Sequence, residues 1–301
     1  MDCDALVLID NYRDLICDKY YNLIEFAVAN KKEILITPLA EAQLDLQNYS
    51  GLYSLLEFLP KNIAVLESGY RNMTKDKIYE IDTPIIGIFG QGKNCEKFKV
   101  QLMMKESLVD DYNAVVICSN ALGVLFGCYS MPGFLYENRP FKEKILMFNH
   151  FIRILAKTAN PDAIIIGIPE GILPFAKYEF HHFAEFPIVI TSAVSIDLSV
   201  LCTYFMTGEQ LGSALIKLGQ LCKNKFSTSI DVFAISETLY DVTDDEVNCV
   251  LYEYLDDSFL DKYYPDLTGI NIPVLNLRNR AESFRLLKAA VERLADNVKL
   301  M

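Results

Sequence analysis

The feature that most constrains this chain is an alternation. Short runs rich in Val and Ile, with little polar alternation, alternate almost throughout with stretches of helical periodicity. Strands covered by helices on both faces have no solvated side, so they read as continuous apolar runs. Strand–helix–strand units of this kind stack into a mainly parallel sheet. The expected strands are 5–9, 33–37, 63–67, 84–89, 114–119, 163–168, 187–195, 230–236 and 273–277. The run at 84–89 is unbroken in its apolar character and precedes a glycine loop, and it is expected near the sheet centre.

The intervening helices carry start signals. Thr37 followed by Pro38 reads as an N-cap with proline at the first helical position. Thr207 with Gln210 has the spacing of a capping box, and Leu211, Ala214, Leu215, Leu218 and Cys222 then share one face. Thr243 with Glu246 repeats the pattern before Val247, Val250, Leu251 and Tyr254. Asn279 with Glu282 precedes a helix burying Leu286, Leu287, Ala290, Val291 and Leu294. A further helix is lined by Phe141, Ile145, Phe148, Ile152 and Leu155, and His150 lies among its apolar neighbours as a packed residue. The polar stretch 70–83 divides a small αβ lobe, residues 1–80, from a larger unit, residues 81–301. The first lobe starts abruptly with a strand and is expected to be a shortened form of a longer domain.

Charge narrows the function classes. A formal net charge of −12 opposes phosphate backbones and anionic membrane surfaces, so no nucleic acid and no membrane is expected as a partner. No apolar run approaches the roughly 20 residues of a membrane span, and the first residues do not read as a secretory signal. The eight cysteines form no C-x-x-C pair and mostly sit within apolar runs, so they read as reduced core thiols in a cytoplasmic protein. The three histidines lack metal-ligand spacing, and no zinc site is expected.

The chemistry-bearing segment is 84–98, P-I-I-G-I-F-G-Q-G-K-N-C-E-K-F, a strand running through glycines into a helix. Backbone N–H groups and a helix N-terminus hold phosphate in such a setting. Two registers can be set against the phosphate-loop rule G-x-x-x-x-G-K-[ST], and neither is complete. In the first, Gly87 to Lys93 fit and Asn94 stands where a hydroxyl would reach Mg²⁺. In the second, Gly90 and Gly92 form the loop and Lys97 is the phosphate lysine, with Glu96 replacing glycine and Phe98 replacing the hydroxyl. The candidate nucleotide-binding residues are therefore Gly90, Gly92, Lys93, Asn94, Lys97 and Phe98. A glycine turn needed only for packing is the competing reading. Glu170, in I-P-E-G at another strand end, is a candidate for Mg²⁺ held through water. Ser119 and Asn120 end the strand A-V-V-I-C-S and are candidate lining residues, because ligands in open parallel sheets sit at strand carboxyl ends. Arg278 and Arg280 follow the strand P-V-L-N-L and are candidates to meet an anion.

The fold class expected is thus a doubly wound, mainly parallel α/β sheet of P-loop NTPase type with a small N-terminal αβ lobe. The segments FGQGKNCEKFKVQL, ICSNALGVLFGCYSMP, FNHF and NPDAIIIGIPEGILPF together resemble the clostridial peptide maturation system protein family. The resemblance runs over about residues 1–240. That family is encoded beside radical-SAM enzymes and small ribosomal peptide precursors. In its pattern a glycine precedes the lysine where this chain has Glu96, and a glycine stands at Glu170. The resemblance implies an accessory protein of ribosomal peptide (RiPP) maturation, with a precursor peptide and a peptide-modifying enzyme as partners. Three readings follow. The chain binds ATP or GTP with Mg²⁺ as such an accessory; or it is a non-catalytic partner that holds the precursor or its enzyme; or it is a small-molecule ligase or kinase similar to dethiobiotin synthetase, which the ending 269–274 loosely resembles.

Overall fold

In a computed structural model, residues 3–9, 16–60, 77–174, 181–206, 211–242, 250–265 and 271–298 are described. The first elements form a small parallel sheet, ordered β1–β2–β3, from β1 (Ala5–Leu8), β2 (Glu33–Ile36) and β3 (Ser54–Leu55). Between β1 and β2 lies α1 (Cys17–Ala29), which buries Ile24 and Ala27 against Leu8, Ile34 and Ile36 in a core of its own. The Thr37 hydroxyl accepts the Ala40 N–H at 3.3 Å, and Pro38 opens the short α2 (Pro38–Glu41).

The larger sheet has seven strands, all parallel. They are β4 (Ile85–Gly90), β5 (Ala114–Cys118), β6 (Tyr129–Ser130), β7 (Ala163–Gly167), β8 (Leu198–Thr203), β9 (Val232–Ile235) and β12 (Val274–Asn276). Their order is β12–β9–β8–β4–β7–β5–β6, with β4 in the middle. Ile86 to Gly90 pair with β8 on one side, and Ile85 to Ile88 with β7 on the other. The chain visits β5, β6 and β7 on one flank, then β8, β9 and β12 on the other. The winding therefore reverses at β4, the switch point where open α/β sheets bind ligands.

Helices cover both faces. On one, α4 (Phe141–Ala159), α5 (Glu185–Ala193) and α6 (Leu211–Phe226) pack Phe148, Phe151, Val189, Ile190 and Leu215 against Ile85, Phe89, Ile164 and Ile166. On the other, α3 (Lys97–Leu108) and α8 (Arg280–Val298) pack Val100, Met104 and Leu287 against Ile86, Ile88 and Ile165. A separate antiparallel hairpin, β10 (Thr238–Val242) with β11 (Val250–Tyr254), precedes α7 (Asp257–Tyr263). The doubly wound parallel fold is as the alternation of apolar runs predicts.

Two local expectations fail. Residues 187–195 are not a strand: Glu185–Ala193 is helical and buries Phe186, Val189, Ile190 and Ala193, and the strand comes afterwards at Leu198–Thr203. A short run apolar all round cannot be told from a buried helix by periodicity, and Pro187 is tolerated in a first turn. Val250, Leu251 and Tyr254 belong to β11, not to a helix after Thr243. Pairing with β10 overrides the helical spacing, and Leu251 and Tyr254 are exposed rather than facing a core. The expected strand 63–67, the first half of the boundary at 70–83, and the caps at Thr207 and Thr243 lie outside the described residues. Seven of the cysteines are described and all are free thiols, five of them buried; Cys249 is outside the described residues.

Candidate functional site

The loop between β4 and α3 sets the two candidate lysines apart. Lys97 is the first residue of α3, and Lys93 lies in the preceding turn. The Lys97 ammonium folds back over the loop and donates to the Gly92 carbonyl at 3.2 Å and to the Glu170 carbonyl. The first helical bond runs from the Val100 N–H to the Glu96 carbonyl at 3.1 Å, so the N–H groups of residues 97–99 have no acceptor within the helix. Lysine and helix N-terminus therefore converge at the carboxyl end of the central strand.

Glycine at 90 is required by Lys97. A Cβ there would lie 2.6 Å from Lys97 Cδ, 2.7 Å from Cys95 Sγ and 2.8 Å from Lys97 Nζ. Neighbouring strand ends hold the loop. The Gln91 N–H donates to the Cys202 carbonyl at 2.7 Å, its side-chain oxygen accepts the Tyr204 N–H at 3.1 Å, and the Tyr204 hydroxyl donates to the Lys93 carbonyl. The Tyr204 ring is wholly buried against Tyr240 and Tyr252 of the hairpin, with centroids 4.7 and 6.0 Å away. From the β7 side the Ile172 N–H donates to the Gly90 carbonyl at 3.0 Å. A Cβ on Gly171 would fall 2.6 Å from Gly92 Cα, so these two backbones touch.

Glu96 and Asn94 both take left-handed backbone, at φ 59° and 57°. In the register set by Lys97, Glu96 stands where the motif has glycine, the residue that adopts this conformation without strain. Its carboxylate turns away from the loop: Oε2 accepts the Glu237 N–H at 2.7 Å and Oε1 meets Lys99 at 3.1 Å. Phe98 occupies the hydroxyl position and packs edge-on against Phe126, centroids 5.9 Å apart.

Glu170 comes to the loop from the turn after β7. Its carboxylate lies 3.4 Å from Lys93 Nζ and 3.3 Å from His181 Nδ1, with its side chain 9% exposed. Burial alone would raise its pKa, but the His181 hydrogen bond and the nearby Lys93 and Lys97 outweigh it, holding the carboxyl below its ordinary value. Gln91, Tyr204 and His181 were not singled out by the sequence. The groups they meet lie 11 to 113 residues away, and no local spacing joins them.

The other candidates lie elsewhere. Ser119 and Asn120 line a hollow of about 160 Å³ between the two lobes, with Thr37, Leu39, Ser130 and Met131. The Asn120 side chain there accepts the Leu122 N–H at 2.9 Å. Arg278 pairs with Asp257 at 3.3 Å and Asp261 at 2.7 Å on α7, and Arg280 pairs with Glu106. Both line a cleft of about 640 Å³ at the carboxyl ends of β9 and β12, together with Lys99, Glu237, Tyr264 and Asn276. That cleft opens beside the loop, because Glu96 bonds both Lys99 and Glu237. His150 is buried and meets the Tyr79 ring edge-on at 4.8 Å.

No family model and no curated protein matches the chain. Among solved structures it is similar to a DUF1611-family protein from Anabaena variabilis, with 12% identity over 95% of this chain and 80% of that one, and a TM-score of 0.54. It also overlaps chloroplast FtsY from Physcomitrella patens at 12% identity, 72% of this chain and 65% of that one, with a TM-score of 0.33. The 54 kDa signal recognition particle protein from Aeropyrum pernix, in complex with GDP, overlaps at 12% identity, 92% of this chain and 61% of that one, with a TM-score of 0.36. The last two overlap too loosely to bear on this chain. The first shares its fold, a mainly parallel α/β sheet covered by helices.

Proposed function

We propose that the chain binds ATP or GTP at residues 90–98, as a cytoplasmic accessory protein of ribosomal peptide maturation. The observation that carries the nucleotide reading is Lys97. It opens α3 at the end of the central strand, with its ammonium turned back across the glycine loop. In that place it reaches a bound β- or γ-phosphate while the first N–H groups of α3 point at the same anion. The cleft beside Lys99 and Glu237 leaves room for the base and ribose. The peptide-maturation part rests on the resemblance of the four sequence segments to that family; free thiols suit a reducing compartment.

A Mg²⁺ ion held by the loop does not fit the residues present. Phe98 offers no oxygen, and the Glu170 carboxylate is engaged by Lys93 and His181. No reaction step is assigned to the site. The same two residues favour the second reading, a non-catalytic partner that holds the precursor peptide or its modifying enzyme. Thermal shift separates the two: ATP or GTP at 100 times its dissociation constant stabilises the wild-type chain by about 2.7 kcal/mol, and Lys97→Ala removes the shift. A flat response at millimolar nucleotide leaves the holding role. Deleting the gene and measuring modified peptide in the producing cell tests the maturation role.

A further inference from the structure

The nucleotide-binding reading can be taken one step further, to the ionic form of the ligand. In P-loop sites the phosphates arrive with Mg²⁺, held by the hydroxyl after the lysine and by an acid at the end of a neighbouring strand. Here neither donor is present. The residue after Lys97 is Phe98, whose ring is committed to Phe126. On β7, beside the central strand, residues 163–169 carry no acid. At Gly167 the space of a side chain is filled from the opposite direction: a Cβ there would collide with the amide of Gln101, a wholly buried residue one helical turn beyond Lys97. On β8, the other neighbour, residues 198–203 carry no acid either. The first carboxylate after β7 is Glu170, with Lys93 at 3.4 Å and His181 at 3.3 Å. A metal ion would have to displace both. Glu96 faces Glu237 and Lys99 instead of the loop.

The loop has a second cation that the phosphate-loop rule does not require. Lys93 stands at the loop's edge with its side chain 24% exposed, and it meets the same Glu170 oxygen, Oε2, as buried His181. An ammonium has three donors, so Lys93 can keep Glu170 and still donate to a phosphate oxygen. We infer that the site takes its nucleotide as the metal-free anion, with Lys93 and Lys97 supplying the positive charge that Mg²⁺ supplies in other P-loop sites.

Isothermal titration of the full chain with ATP and with GTP, in EDTA and in excess Mg²⁺, tests this. The dissociation constant in EDTA should equal or be tighter than that in Mg²⁺, because Mg²⁺ competes with the lysines for the phosphates. Lys93→Ala should weaken binding in EDTA by about tenfold or more, the usual cost of a lost charge-assisted bond. Lys93→Arg should restore most of it, and both variants should melt within a few degrees of wild type. Binding about tenfold tighter in Mg²⁺, or Lys93→Ala binding as wild type, overturns the inference and leaves the nucleotide reading standing. No binding in either condition overturns both.

Discussion

At the scale of single residues, the site depends on what glycine leaves out. Gly90 makes room for Lys97 and Cys95, whose side-chain atoms lie 2.6 to 2.8 Å from where a Cβ would be. Both neighbours are side chains, and the lysine is flexible. Gly90→Ala should therefore displace the Lys97 ammonium at a modest cost in stability, about 1 kcal/mol, while removing the nucleotide-induced thermal shift. A variant that keeps the full shift would show that Lys97 need not lie across the loop. Gly171→Ala is different in kind, because its Cβ would meet the backbone of Gly92 and Gln91 at 2.6 and 2.7 Å. It should lower the melting temperature as well. Much of the loop is legible in the sequence, since glycines and lysines lie within a nine-residue span. What is not legible is the choice between Lys93 and Lys97, which depends on where the helix begins. The embrace by Tyr204 and His181 is also hidden, because the fold brings residues far apart in sequence to one edge.

At the scale of elements, caps read well and short apolar runs read badly. The Asn279 side-chain oxygen accepts the Glu282 N–H at 3.2 Å, and its amide donates back to the Glu282 carboxylate at 3.0 Å, as their spacing predicts. Asn279→Ala should destabilise the fold by about 1 kcal/mol in urea melts with an unchanged m-value. A neutral result would mean that docking of Leu287 and Val291 alone sets the start of α8. The run PIVITSA fails as a strand because its short, mostly apolar sequence does not distinguish period 2 from period 3.6. Tertiary context resolves it: α5 packs against α4 and α6, and the chain then turns to place Leu198–Thr203 beside β4. The opposite error at Val250–Tyr254 has the same root. A helical spacing of apolar residues has no core to face, and pairing with β10 decides.

At the scale of the whole molecule, one sheet carries two covered faces, and the sequence shows this because its inner strands are mostly apolar. The α4 face contains Phe148, Phe151, Ile152 and Leu155, all wholly buried. Phe151→Ala should cost about 3–5 kcal/mol, read as a large fall in the urea midpoint. The same helix carries His150, whose pKa is lowered by burial, with Arg153 adding repulsion against a backbone hydrogen bond that favours the charged form. The unfolded chain therefore takes up this proton before the folded one does. Stability from His150 is complete above the ordinary histidine value of about 6.5 and is lost as pH falls toward the lower folded value. Urea melts at pH about 7.5 and about 5.5 should show a smaller loss for His150→Gln than for wild type; equal losses would place the histidine in water. Among the described residues no helix is long and apolar enough to cross a membrane.

The central claim is that the Lys97 loop at the end of β4 holds a nucleotide. The most direct measurement is titration calorimetry of the purified full chain with ATP and GTP, beside Lys97→Ala under the same conditions. The account predicts saturable binding of one nucleotide per chain by the wild type, and its loss in a Lys97→Ala protein that melts normally. Absence of heat for both nucleotides at millimolar concentration, or equal binding by the variant, would contradict it.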